Sequence, residues 1–140
     1  MKYLLDTCIL SEALKPKPNQ TVMAWLKAND GYCRLSILSL GEIRKGIAKN
    51  EYKTGQRQTK LNDWLNHLIT EKQDDILPLN QDVIALWGDI VGCAEAKGNP
   101  LPVIDSLIAA TAMTHNLVVA TRNTEDFARC GAKTFNPWET

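Results

Sequence analysis

No apolar run in this sequence of 140 residues approaches the roughly 20 residues that a membrane-spanning helix requires. The longest, Leu107 to Met113 and Leu117 to Ala120, are interrupted well short of that length, so no span is expected. Asp6 stands directly behind Tyr3-Leu4-Leu5, leaving no room for the basic start and apolar stretch of a secretory signal. A cytoplasmic location is the expectation. The four cysteines, Cys8, Cys33, Cys93 and Cys130, form no Cys-x-x-Cys pair, which argues against a disulfide framework or zinc ribbon and for reduced, mostly buried thiols. Histidine is also scarce: His67 and His115 are the only two, and neither lies at a spacing that would close a tetrahedral zinc site. Charge of one sign is missing as well. Sixteen acidic and sixteen basic residues cancel, so contact with nucleic acid must rest on local charge. Repeats, low-complexity segments and linkers are lacking, and the length matches one domain over residues 1–140.

What is present is an ordinary folding composition, with 44% apolar and 23% charged residues, far from the signature of disorder. Lys2 to Leu5 reads as a strand feeding a helix through Ile9, Leu10, Ala13 and Leu14, broken by Pro16 and Pro18. Thr21 to Ala28 makes a second helix, and Cys33 to Ile37 a second buried strand. Ser39-Leu-Gly-Glu42 has the form of a capping box opening the next helix. A helix is expected from about Thr54 to Lys72, its start merely weakened by Gly55, then a strand over Asp75–Leu79 and a long helix capped by Asn80. Val103 to His115 is a strongly apolar, central helix. Leu117 to Ala120 is a buried strand, Asn123 or Thr124 opens a short helical turn, and Lys133 to Phe135 is an edge strand. Short, non-alternating apolar strands separated by helices call for an α/β fold, a mostly parallel sheet of about five strands covered on both faces. In such sheets, sites collect beyond the carboxyl ends of the strands.

Asp6 ends the first strand, Glu42 falls in the first turn expected after the second, and Asp105 in the first turn of the central helix. Asn123, Glu125 and Asp126 follow the fourth strand. Taken singly, each acid is explained as a helix cap or first-turn acid favoured by the helix dipole, worth roughly 0.5–2 kcal/mol. Together they repel by roughly 4 kcal/mol per close pair at an intermediate dielectric. A hard divalent cation relieves that repulsion, and an all-oxygen ligand set implies Mg²⁺ or Mn²⁺. Such an ion activates water and neutralises charge in an in-line displacement at phosphorus.

The order Leu-Leu-Asp6-Thr, Glu42 on a helix, Asp105 in an alanine-rich central helix, then Val-Ala-Thr121-Arg-Asn123, resembles the PIN domain family. Within it the chain is similar to the VapC-type toxins of bacterial toxin–antitoxin pairs, in the FitB-like branch that shares the Asp-Thr start and an Asn-Pro-Trp tail. The resemblance spans about Lys2 to Trp138. It implies that Asp6, Glu42 and Asp105 are the metal-site acids and that Asn123 takes the fourth position, commonly Asp. The amide removes one negative charge, which bears on a second metal. Asp126 either supplies that charge or is a solvated surface acid; Thr7 and Thr121 either hold the carboxylates or a water, or cap the backbone. The resemblance also implies an endoribonuclease acting on tRNA or rRNA, a cognate antitoxin, operator DNA reached only through that antitoxin, and a homodimer.

Six basic residues, Arg44, Lys45, Lys49, Lys53, Arg57 and Lys60, stand against Glu51 alone after Glu42. They either hold phosphates or form a solvated face; Arg122, beside Asn123, is the better phosphate candidate. Trp25, Trp64 and Trp87 lie on apolar stripes and are expected in the core, leaving few aromatics to stack bases. A second reading is a weakly catalytic or non-catalytic binding module working with an antitoxin on operator DNA. A receiver or haloacid-dehalogenase protein fits poorly, because Cys8 stands where the latter needs Asp and Thr121-Arg122 where the former needs lysine.

Overall fold

The structure is a computed structural model and describes residues 2–139. Five parallel strands, β1 (Tyr3–Leu5), β2 (Cys33–Ser36), β3 (Ile76–Leu77), β4 (Val118–Ala120) and β5 (Thr134–Phe135), lie in the order β3-β2-β1-β4-β5. The register Leu5↔Leu35 and Leu5↔Ala120 places the strand ends in one row. Each strand ends facing the same way, so Asp6, Ser36 and Thr121 come out along a single edge.

Seven helices cover this sheet among the described residues: α1 (Thr7–Ala13), α2 (Gln20–Ala28), α3 (Ile37–Thr54), α4 (Thr59–Glu71), α5 (Gln81–Ala96), α6 (Val103–Thr114) and α7 (Thr124–Arg129). The alternation of a strand decides which face each residue serves. Leu5 and Ala120 join Ile9, Val22, Trp25, Ile43, Ile47 and Leu65 in one apolar cluster. Leu4 and Val119 join Ile108, Ala109, Ala112 and Phe127 in the other. Helices α1 to α4 therefore cover one face and α6 and α7 the other. Of the seven residues of α6 from Ser106 to Ala112, all but Leu107 are buried, as expected of a central helix.

The helix boundaries on the first face differ from the sequence expectation. Ser36, not Ser39, caps α3: its backbone is still extended and its hydroxyl accepts from the Leu38 N–H at 3.1 Å. The strand residue that turns the chain is the one whose side chain can reach the freed amides. Strand β2 thus ends before Ile37, Ser39 is fully buried inside the helix, and Glu42 lies beyond the first turn. The helix expected from Thr54 is shorter, because Thr54 ends α3 and Gly55 adopts the left-handed conformation at φ +69°, closing the helix through its N–H to the Glu51 carbonyl at 2.8 Å. Strand β3 is also shorter than Asp75–Leu79, since a one-turn 3₁₀ helix takes Gln73–Asp75 and Pro78 has no N–H to give the ladder. Asn80 caps α5 as expected, accepting from Val83 N–H at 3.0 Å.

All four thiols are free; Cys33 and Cys130 are buried, Cys8 half-buried and Cys93 exposed. Trp25 is in the core and the half-buried Trp64 packs against the same cluster, whereas Trp87 is half-buried with its indole N–H donating to Ser106 Oγ at 3.0 Å. No helix among the described residues is long and apolar enough to cross a membrane.

Candidate metal and phosphate site

Asp6 is the hub. As N-cap of α1 it is only 5% exposed, so a carboxylate there must find donors in the protein. Its Oδ1 accepts from Thr7 N–H at 2.8 Å, and its Oδ2 accepts from the Thr121 hydroxyl at 2.8 Å and the Cys8 thiol at 3.4 Å. Burial raises its pKa, these three donors pull it back down, and the nearby charge of Glu42 raises it again. Thr121, fully buried at the end of β4, is itself oriented because its oxygen accepts from Asn123 N–H at 2.9 Å. The first and fourth strand ends are thereby tied into one unit.

Glu42 joins from α3, where its Oε1 accepts from the Thr7 hydroxyl at 2.6 Å. Thr7 thus spans the two acids, its backbone on Asp6 and its side chain on Glu42. Asp105, half-buried near the start of α6, receives no hydrogen bond and makes no ion pair among the described residues. Its carboxyl is raised by burial first and then by the charges of Asp6, Asp126 and Glu42. The structure therefore brings Asp6, Glu42, Asp105 and Asp126 into one electrostatic neighbourhood. Among the described residues no three His, Cys, Asp or Glu side chains form a ready-made cation cage; the acids share a field without closing on a common point. Their chemistry still fits a hard cation: all donors are carboxylate oxygens, and Asp105 is a desolvated charge with no protein donor.

Asn123 is exposed, and with Arg122, Thr124, Glu125 and Asp126 it lines an open hollow of about 330 Å³. Its backbone, not its side chain, makes the contact with Thr121. Arg122 is exposed and its guanidinium carbon sits 4.2 Å above the Trp138 ring, a cation–π contact that limits where the charge can go. Arg44 faces α4, donating to Asn62 and Asn66, while Lys45 stays exposed.

Three contributors lie outside the motif. Buried Glu12 accepts from Asn19 N–H and Lys15 Nζ, both at 2.9 Å. The Asn19 amide foremost, then Lys15, hold its pKa below the usual range, with Arg122 adding to the effect. Cys8 reads in the sequence as a core thiol, yet it lies against Asp6 and accepts from Arg122 N–H at 3.5 Å; burial, then Asp6, pushes its thiol up to about 11. Trp138, anchored by its backbone N–H donating to Asn136 Oδ1 at 2.9 Å, braces Arg122.

Fold and site together define an α/β protein with an acidic, oxygen-lined centre at the carboxyl edge of a parallel sheet. The PIN domain family profile matches residues 3–133, and the chain belongs to that family, in its VapC-type, FitB-like group. The toxin FitB of Neisseria gonorrhoeae is 37% identical over 139 residues, covering 96% of this chain and 97% of that one. The VapC ribonuclease Y4jK of Sinorhizobium fredii is 33% identical over 138 residues, covering 97% of each. A solved structure of FitAB bound to a DNA fragment matches with a TM-score of 0.77 and 34% identity, over 97% of this chain and 95% of that one.

Proposed function

We propose that the chain is a Mg²⁺- or Mn²⁺-dependent endoribonuclease that hydrolyses phosphodiester bonds of tRNA or rRNA as the toxin of a toxin–antitoxin pair. One observation carries the reading: Asp105, a half-buried carboxylate with no donor, stands in the field of Asp6, Asp126 and Glu42. Helix capping alone gives no reason to gather acids that raise one another's pKa. When bound, a divalent ion supplies Lewis-acid activation of water and charge neutralisation at the phosphate.

The residues of the chain do the rest. Asp6 and Glu42 are fixed for ligation by their shared neighbour Thr7, and Asp105 contributes the unpaired charge. Asn123 offers an amide oxygen at the fourth position and Asp126 a further carboxylate. Arg122, braced on Trp138, is placed to neutralise a substrate phosphate. FitAB on DNA and the ribonuclease Y4jK support the biological half of the reading: a cognate antitoxin restrains the enzyme, and operator DNA is reached only through that partner.

The direct test incubates purified protein with labelled tRNA and rRNA, with Mg²⁺ or Mn²⁺ and then with chelator. Cleavage that needs the ion is expected; cleavage indifferent to chelator rejects the metal reading. A finer check is Thr121→Val, which keeps the shape but removes the donor to Asp6 and the acceptor for Asn123 N–H. Cleavage is expected to fall about 10- to 100-fold, the usual loss when an orienting partner of a ligand is removed. Stability should fall by roughly 1–3 kcal/mol for the orphaned buried groups, read by urea unfolding.

A further inference from the structure

Helix α3 carries Glu42, Lys45, Lys49 and Lys53 at spacings of three, seven and eleven residues, which places them along one face. That face is opposite the one where Ile43 and Ile47 are buried in the core. The three lysines are exposed. At the far end Tyr52 is 91% exposed, ten residues or about 15 Å along the helix from Glu42. Across the Gly55 turn, Arg57 joins Tyr52, Gly55 and Gln56 around an open hollow of about 430 Å³.

The charge of this face is compensated only in part, by the attraction of Glu51 for Arg57 and Arg44. Glu51 is the only acid between Glu42 and Asp63, and it is engaged in holding the α3–α4 hairpin: its Oε2 accepts from Gln58 N–H at 2.7 Å and Asn62 Nδ2 at 3.0 Å. The ion pairs of the described residues join Lys15 to Glu12, Arg34 to Asp75, His67 to Glu71 and Lys72 to Asp30. Lys45, Lys49, Lys53 and Arg57 take part in none of them. A line of solvated cations that begins at a metal-site acid and ends at a bare aromatic ring has the form of a polyanion track with a stacking platform.

We propose that the outer face of α3 is a docking track for the RNA substrate, with Lys45, Lys49, Lys53 and Arg57 meeting successive phosphates and Tyr52 stacking on an unpaired base. The inference rests on the ribonuclease reading and adds to it a preference for RNA with a single-stranded loop. RNA is favoured over an acidic protein segment because the ring at the end of the track is bare to solvent and an unpaired base offers it a flat face to stack on. Exposed aromatics are few, as expected, and Tyr52 is the most exposed of them.

The test measures binding by fluorescence anisotropy in an Asp6→Asn background, so that RNA is not consumed. The probes are a labelled RNA hairpin with an unpaired loop and a blunt RNA duplex. Lys49→Ala with Lys53→Ala is expected to weaken hairpin binding at least tenfold near 50 mM salt. It should also flatten the log–log salt slope by about 1.4 to 1.8, at roughly 0.7–0.9 per phosphate contact. Tyr52→Ala should weaken the hairpin about tenfold and the duplex little, with Tyr52→Phe restoring the hairpin. Circular dichroism melts matching the parent exclude unfolding. Parent-like binding by these variants, or equal loss on hairpin and duplex for Tyr52→Ala, overturns the proposal. So does retained RNA binding with loss of a co-expressed antitoxin. Wild-type cleavage is scored separately: cleavage with unaffected variant binding rejects the track alone. Variant losses without any wild-type cleavage reject the nuclease reading and leave the track standing.

Discussion

Asp6→Asn protein should cut RNA about a thousandfold more slowly than the parent, or not measurably, while melting as a single folded species. Asparagine keeps the volume of the side chain and an oxygen to accept from Thr7 N–H. It loses the negative charge, and its amide nitrogen cannot accept from the Thr121 hydroxyl that now points at Oδ2 at 2.8 Å. A thousandfold change corresponds to about 4 kcal/mol of barrier, in keeping with the several kcal/mol that charge stabilisation by an ion in a dry site supplies. The effect should exceed that of Thr121→Val, because the threonine acts only through the carboxylate it holds. Initial rates on one labelled RNA at matched ion concentration decide it. Cleavage within tenfold of the parent would remove Asp6 from the reaction and favour the binding-module reading, in which antitoxin and operator DNA remain the partners.

Residue type and spacing were enough to set Asp6 and Thr121 at one edge of the sheet, because the strands are short, parallel and end in register. Once Leu5 and Ala120 are known to pair, Asp6 and Thr121 must emerge side by side, and the hydrogen bond between them follows from adjacency. Position in a strand is visible in a pattern of apolar residues. What decides a helix start is finer. Ser39-x-x-Glu42 has the form of a capping box, yet Ser36 is the residue whose extended backbone turns the chain, and three-residue shifts of this kind leave the apolar periodicity unchanged. The consequence for Glu42 is chemical: freed from capping, its carboxylate is available to Thr7.

Features built from contacts between distant segments carried the weakest signal. Nothing local in Arg122 or Trp138 announces that sixteen residues apart they will stack, and Glu12 looks like a surface acid until α2 folds back to offer it Asn19 N–H. Arg44 and Lys49 read alike as basic residues on one hairpin; both are exposed, and only the packing of α4 gives the first Asn62 and Asn66 as acceptors. Tyr52 stands bare near the end of α3, an exposure that no composition argument foresees.

In the metal-free protein, Asp105→Asn should raise the melting temperature at pH 7, and the ion should reverse the ranking. The Asp105 carboxyl lies above its ordinary value of 3.8, through burial first and then the charges of Asp6, Asp126 and Glu42. The unfolded chain therefore releases this proton at lower pH than the folded one. Well below the ordinary value of 3.8 both states are protonated and the residue costs nothing. As pH rises through the folded pKa, native protein must ionise a carboxyl that its neighbours oppose, and stability is lost. Asparagine has no proton to give up, so the pH-dependent part of the difference between variant and parent should vanish well below pH 3.8, grow as pH rises and level off above the folded pKa. Solvent screening of a half-buried group keeps it modest, roughly 2–4 °C. Adding Mn²⁺ or Mg²⁺ at about a hundred times its Kd stabilises a binding-competent protein by about 2.7 kcal/mol, some 5–12 °C for a chain of this length. The parent should gain that shift and the variant little of it. Differential scanning fluorimetry across pH, with chelator and then with ion, separates the outcomes. Parallel curves for the two proteins under every condition would show that Asp105 neither resists its neighbours' charge nor helps to hold a cation. A gain without ion followed by a deficit with it is the behaviour of a carboxylate retained at a cost to folding because a divalent ion requires it.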